Sequence, residues 1–233
     1  MRRGTIAALA AALALVGGAY LVGRFVPPRF SPLAPLDVAE EPVPLVTEMK
    51  LARLRGDPAY CRAALATSAL KVTDVPQMSS PKGCELHDVE RIAVGRAPAF
   101  SSSFVASCAL AVDLAMFIEH VVAPAAARDI GSEVVTIEHL GSFACRPIIG
   151  AGTTTELSQH ASANALDIAG FVFANGEKAT VAHDWQGNDA KARFIHDVHD
   201  GACRIFPVVL SPDYNAAHKS HLHVDVSGFH FCR

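Results

Sequence analysis

Eighteen consecutive residues, Thr5 to Val22, carry no charge and are dominated by Ala, Leu, Val and Gly. This run constrains the chain more than any other feature, because it assigns everything after it to one side of a membrane. It is near the lower limit for a membrane-crossing helix and longer than the apolar core of a usual signal peptide. Arg2 and Arg3 precede it, and Arg24-Phe25-Val26-Pro27-Pro28 follows without a small-x-small cleavage site. Residues 1–26 are expected to form an uncleaved signal anchor, with its arginines in the cytoplasm and the remainder of the chain outside.

The rest of the composition agrees with export. Six cysteines, Cys61, Cys84, Cys108, Cys145, Cys203 and Cys232, make an even number with no C-x-x-C pair. That disfavours thiolate zinc sites and thioredoxin chemistry and predicts three disulfides in an oxidising compartment, of undetermined connectivity. Residues 27–46 hold six of the fourteen prolines. They read as a stiff, extended spacer with a reach of about 60–70 Å. The folded domain is then 47–233. The net charge is −3 and no basic block exceeds two residues, which argues against nucleic acid as a partner.

Within the domain, Asp57 as N-cap and Pro58 at the first helical position predict a helix over 58–70. Residues 71–83 read as a loop and 89–94 as a short strand. A longer helix is expected over 106–122, with Leu110, Leu114, Phe117 and Val121 at helical spacing and Pro124 as its stop. β-branched residues predict a strand over 134–139, followed by an irregular stretch. A helical turn over 158–164, a strand over 165–173, a turn at Asn175-Gly176 and a returning strand over 178–183 follow. A helix over 189–200 and strands over 206–210 and 221–226 complete the order. Helices early and hairpin strands late predict an α+β fold with helices packed on one face of a small antiparallel sheet.

Two runs carry candidate chemistry: Ser158-Gln159-His160 through Leu166-Asp167, and His221-Leu222-His223-Val224-Asp225. Strand alternation puts His221, His223 and Asp225 on one face and Leu222, Val224 and Val226 on the other. His160 and Asp167, seven apart, converge with them only if the chain bends near 163–165. Two imidazoles and a carboxylate suit zinc with one position left open. Asp225 reads mainly as a solvated strand carboxylate, with orientation of a histidine as its other use. Trp185, the only tryptophan, is expected either to line a cleft and stack on substrate or to pack in the ordinary way. His196, His199 and His218 read as surface or capping residues, and His87, His120 and His139 show no partner pattern.

The pattern Ser-x-His-x-x-Ala-x-Ala-x-Asp followed by His-x-His resembles the zinc D-Ala-D-Ala carboxypeptidase family and its relatives, including the hedgehog signalling domain. More closely, the chain is similar to the bacterial extensin-like C-terminal domain family. The similarity lies in Cys145-Arg146-Pro147, Leu157 to Ala161, Ala165 to Phe171, Asp200 to Arg204, Pro212 to His218 and His221 to His223, and covers roughly Pro58 to Arg233. The peptidase resemblance implies a zinc D-Ala-D-Ala peptidase or hedgehog-like fold and one zinc ion held by His160, Asp167 and His223. It also implies Arg146 as an oxyanion or substrate contact and Ser158 as a group bonding near the site. In the peptidases an acidic general base sits three residues before the last zinc histidine; here that residue is Ser220. A serine hydroxyl accepts no proton near neutral pH, which leaves His221 as the candidate base.

Two functions fit these residues. One is an inner-membrane-anchored, periplasmic zinc peptidase or amidase acting on peptidoglycan peptides, with Arg146 and His221 catalytic and Arg146, Ser158 and Trp185 toward substrate. Cleavage of the signal would instead release it into the periplasm. The other is a non-catalytic module, stabilised by metal, that binds the wall or a protein partner.

Overall fold

The computed structural model describes residues 3–79, 83–94, 98–149 and 155–233. Helices α1 (Arg3–Phe25), α2 (Val46–Leu54), α3 (Pro58–Leu65), α4 (Cys108–Phe117), α5 (Ala123–Asp129), α6 (Val181–Asp184) and α7 (Ala190–Ala202) alternate with short strands. The main sheet is seven-stranded. It runs in the order β12 (Phe231–Cys232), β10 (Val208–Leu210), β11 (Leu222–Asp225), β8 (Ala165–Phe173), β7 (Val134–Gly141), β5 (Ala99–Phe100), with β9 (Lys178–Thr180) also paired to β8. A second sheet joins β1 (Val72–Asp74), β4 (Val89–Ile92) and β6 (Phe104–Ser107), and a third pairs β2 (Met78–Ser79) with β3 (Glu85–Leu86). The fold is α+β, but the main sheet is mixed: β5 with β7 and β10 with β12 run parallel.

The long strand β8 organises the layers. Leu166 and Ile168, then Phe171 and Phe173, are its core side chains, all at 1% exposure or less. The change of phase between the two pairs is a bulge at Ala169, the extra residue opposite the Glu138–His139 step of β7. Phe171 and Phe173 each meet Phe194 of α7 edge-on at 5.1 Å. A Cβ on Gly170 would lie 2.8 Å from the Ala179 carbonyl, so the glycine is what lets β9 close on β8.

The central helix departs from the expected bounds for a local reason at each end. Ser107 finishes β6, and its Oγ accepts from the Leu110 N–H at 3.3 Å, a side-chain cap that starts α4 two residues late. All ten residues of α4 are buried. Length and composition would let 108–129 cross a membrane, yet it is the core helix of the domain. Pro124 does not end it. A π turn over Ile118–Val122 widens the helix, and Pro124 then enters the first turn of α5, where a missing N–H leaves no bond unmade. The returning strand is also shorter than expected. Asp184 Oδ2 accepts from the Thr180 N–H at 2.6 Å, which turns the chain into α6 after Thr180. The helix begun at Pro58 stops at Leu65, where the hydroxyls of Thr67 and Ser68 bond back to the Ala64 and Leu65 carbonyls. The stretch expected as a loop after it contributes β1 and β2.

The proline-rich segment is not a free spacer. Leu36 and Val38 are 4% exposed and belong to the main core. Val38 N–H donates to Thr67 Oγ1 and its carbonyl accepts from His120 Nε2 at 2.7 Å. Apolar side chains spaced between the prolines bind the segment down as a strap, and the proline carbonyls serve as acceptors.

Three disulfides, Cys61–Cys108, Cys84–Cys145 and Cys203–Cys232, use all six cysteines. They close chain separations of 47, 61 and 29 residues, and such closures commonly contribute about 2–4 kcal/mol each. Three such bridges fit an oxidising, extracytoplasmic compartment.

Two residues test the packing. A Cβ on Gly201 of α7 would lie 2.1 Å from Val121 Cγ1 on the π turn. Gly201→Ala is expected to lower the unfolding free energy by about 1–3 kcal/mol; an unchanged urea midpoint would mean the two helices separate freely. Asp113 of α4 is 1% exposed, and its Oδ1 has no hydrogen-bond partner among the described residues. Burial holds its carboxyl well above the usual range, against a small pull from Arg55. The native state therefore keeps a proton that the unfolded chain releases above about pH 4, so this group's share of stability falls as pH rises. Asp113→Asn removes that slope. The melting temperature of the variant minus that of the native protein is expected to grow from pH 4 to pH 7; a constant difference would show that Asp113 is ionised when folded.

Candidate metal centre

The site is built on the pairing of β8 with β11. In that antiparallel register His223 stands directly opposite Asp167. Opposed residues share a face, and this face is the reverse of the one that buries Leu166, Ile168, Leu222 and Val224. His160 arrives from a 3-10 turn over Gln159–Ser162. Ser158 caps that turn, its Oγ accepting from the His160 N–H at 3.3 Å. Ala163 ends it in the left-handed region at φ 55°. That conformation costs a non-glycine residue about 1 kcal/mol. It is held by the Ser107 N–H on the Ala163 carbonyl at 2.9 Å and by packing against Leu86 and Val89. The bend the two runs require is located there.

The result is a triangle of donor atoms. His160 Nε2 is 3.2 Å from Asp167 Oδ1 and 3.1 Å from His223 Nδ1, and His223 Nδ1 is 2.9 Å from Asp167 Oδ1. Each ring is turned inward by what holds its other nitrogen. His160 Nδ1–H donates to the Ser142 carbonyl at 3.0 Å, and His223 Nε2–H donates to Asp225 Oδ2 at 3.1 Å. Asp225, expected mainly as a solvated carboxylate, is 5% exposed and is fixed by the Ser227 N–H on Oδ1 at 2.8 Å. A buried partner on the outer nitrogen of each histidine is the arrangement that orients imidazoles toward a metal.

The electrostatics are those of buried carboxylates paired with imidazoles. Burial pushes the Asp167 carboxyl up, but bonds from His160 and His223 outweigh it and hold the group far below the usual carboxylate range. Burial opposes charge on His223, while Asp167 and Asp225 together raise it to about 9. Ligands about 2.0–2.2 Å from a tetrahedral zinc stand about 3.3–3.5 Å apart. The three separations here are a few tenths of an ångström shorter, so the donor set fits the ion with little movement.

These geometric facts meet one comparison with known proteins. The family model for the extensin-like protein C-terminus matches residues 59–233. The chain belongs to that family. No curated protein and no solved structure matches it significantly.

Around the triangle, the extensin-like domain sets the other sequence-derived residues at different distances. His221 Nε2 is 3.5 Å from Asp167 Oδ1, but the donor triangle of His160, Asp167 and His223 forms without it. Its Nδ1 is buried without a partner among the described residues. Burial and the neighbouring positive groups hold its pKa below the ordinary value despite Asp167. Arg146 is half-buried. Main-chain bonds from Ser158 N–H to the Arg146 carbonyl and from Ala144 N–H to the His160 carbonyl, both 3.1 Å, lay its segment beside the ligand turn. Its charge is felt at both His221 and His218. The disulfide from Cys84 to Cys145 anchors that segment one residue earlier. Ser158 acts through its cap, and Ser220 is exposed on the turn before β11.

Trp185 belongs to the core. At 5% exposure it packs on α7, with His196 at 4.2 Å and His199 at 5.3 Å between ring centroids. His199 Nε2 sits 3.8 Å from the sulfurs of Cys203 and Cys232, but these are joined to each other and are no ligands. The sequence reads His218 as a surface or capping residue, and it does bond to the cap Asn215. Its ring is 5.3 Å from His221 and 5.8 Å from His223, with Nδ1 on Asn215 Oδ1 at 2.8 Å. Burial and the charges of those histidines push it down to about 4. The available signal was Asn215 as a turn cap three residues ahead of a histidine that precedes His221 by three.

For zinc taken by this group, Asp225→Ala is expected to weaken binding about 10–100-fold through loss of ring orientation. Calorimetric titration of the metal-stripped protein measures it. An affinity within about twofold of the native value would show that Asp225 does not set the His223 ring.

Proposed function

We propose that this domain is a zinc-dependent hydrolase that cuts amide bonds in cell-wall peptides on the outer side of the cytoplasmic membrane. The observation that carries the reading is the three-donor group with both histidines held from behind and His221 left outside it. Structural zinc is normally closed by four protein ligands, whereas catalytic zinc keeps a position open. Export, disulfides and the apolar N-terminal helix fit a wall substrate, and the motif resemblance to the zinc D-Ala-D-Ala carboxypeptidases fits the bond class.

Zinc held by His160, Asp167 and His223 would supply Lewis acidity and a source of hydroxide near neutral pH. The chain's own residues do the rest. Ser142 and Asp225 keep the two rings oriented. Arg146 brings positive charge to the rim, where an oxyanion develops when a carbonyl is attacked. His221 is mainly neutral near pH 7 and takes or returns a proton at Nε2.

A second reading has one observation in its favour. Ser220 stands where the peptidases place their acidic base, and the buried carboxylates nearby, Asp167 and Asp225, are both engaged with histidines. A domain without a general base would serve as a metal-stabilised module that binds the wall or a partner.

Peptide release from purified sacculi by the zinc-loaded full chain, beside His223→Ala, separates the two. Release by the native protein and none by the variant is expected, and product masses name the bond. No release from a folded, zinc-replete protein would favour the binding module. In that event Ser220→Asp is the next variant. Gaining a positioned carboxylate is expected to raise turnover by about 100-fold or more if the vacancy is limiting.

A further inference from the structure

Helix α1 ends at Phe25, and by Pro28 the chain is already fastened to the folded domain. Lys50 Nζ on α2 donates to the Pro28 carbonyl at 2.9 Å and to the Pro35 carbonyl at 3.2 Å. Lys50 is 2% exposed, so these bonds are shielded from water. Tyr60 Oη adds a bond to the Ala34 carbonyl at 3.2 Å before Leu36 and Val38 enter the core. The free chain between α1 and the first fixed carbonyl is thus three residues, about 10 Å at full extension. If α1 spans a bilayer, the Pro28 carbonyl and the Lys50 ammonium group bonded to it lie within about 10 Å of the end of that span, which keeps α2 close to the headgroup layer.

The surface at that place is suited to a bilayer interface. Phe25, Phe30 and Leu33 are 73%, 44% and 66% exposed, and Met49 on the outer side of α2 is 59% exposed. Arg24 and Arg29 place their guanidinium groups over the rings of Phe25 and Phe30, at 5.9 and 4.6 Å. Phe25 and Leu33 line one open cleft where α1 leaves the domain. Aromatic rings with a cationic partner are what settle at headgroup depth. Asp37, Glu40, Glu41 and Glu48 lie on the same stretch of chain, so apolar insertion and not net charge holds this contact.

We infer that the strap and α2 dock the domain onto the outer surface of the membrane beside its own anchor, with the bilayer interface as the partner. The inference rests on α1 being retained as a membrane span. It changes where the metal centre works. A domain of this size is about 40 Å across, so the site stays within that distance of the bilayer and does not swing at the end of a long tether.

The test uses the full chain reconstituted in liposomes whose lipids carry bromine high on the acyl chains. Met49→Trp adds a tryptophan at an exposed position of α2, and bromines on the acyl chains quench it only if that face of α2 enters the lipid. The native chain, whose one tryptophan is the buried Trp185, gives the baseline. The added emission of Met49→Trp is expected to fall to about half or less in brominated vesicles, with the native signal unchanged. Further exchange of Phe30→Asp and Leu33→Asp, both at exposed positions, is expected to restore most of that emission. Unquenched Trp emission from position 49, in protein whose mass shows α1 intact and which resists carbonate extraction, would overturn the docking alone. A mature protein lacking α1 would overturn the anchor reading and the docking with it.

Discussion

The register between β8 and β11 is the constraint on which the rest depends. Side chains alternate across a strand, so a slip of one residue would exchange Leu166 and Ile168 with Asp167 and turn Leu222 and Val224 out of the core. Burial of those four apolar residues and convergence of Asp167 with His223 are the same structural event. The hydrophobic effect therefore positions two of the three donor atoms, and nothing at the site itself has to supply that energy. The third donor depends on a strained residue, Ala163, which is held by the main chain of Ser107 at the start of the core helix.

Outward from that pairing, covalent bonds and buried polar contacts fix what a small sheet cannot. The Cys84–Cys145 bridge ties down the segment that carries Ser142, Arg146 and the partner of the ligand turn. The Cys203–Cys232 bridge joins the end of α7 to the last strand, which pairs with β10 and through it supports β11. The proline-rich strap is fastened by Leu36 and Val38 in the core, and Lys50 satisfies two of its carbonyls. The organisation is of a domain drawn close to its apolar N-terminal helix, with a donor triangle on the face of the sheet away from the helices.

Much of this was legible because the signals are local. The N-cap Asp57 accepts from the Tyr60 N–H as its sequence position predicts. Strand β8 has the bounds expected from its β-branched and aromatic run, and the split of β11 into a core face and a polar face follows from alternation alone. The misses have a common cause. Strands of two to four residues, such as β2, β3 and β5, carry too little pattern to be read and exist only through their partners. Pro124 stops a regular helix but not one that has already widened into a π turn. The strap reads as a spacer because proline density speaks for stiffness, while the attachment depends on Thr67, Lys50 and His120, up to 82 residues away.

The sequence by itself determined the chemistry available: an apolar N-terminal run, an even set of cysteines, and two short runs whose periodicity offers imidazole and carboxylate on one strand face. Those properties are set by residue type and by the two-residue repeat of a strand, and they need no knowledge of neighbours. Only the tertiary structure decided which groups meet. It paired the cysteines, buried Asp225 behind His223, set His218 beside His221 and packed Trp185 against α7. The physical reason is distance along the chain. A hydrogen bond between His160 and His223 spans 63 residues, and contacts of that kind are specified by the packing of the whole core, not by any window of sequence.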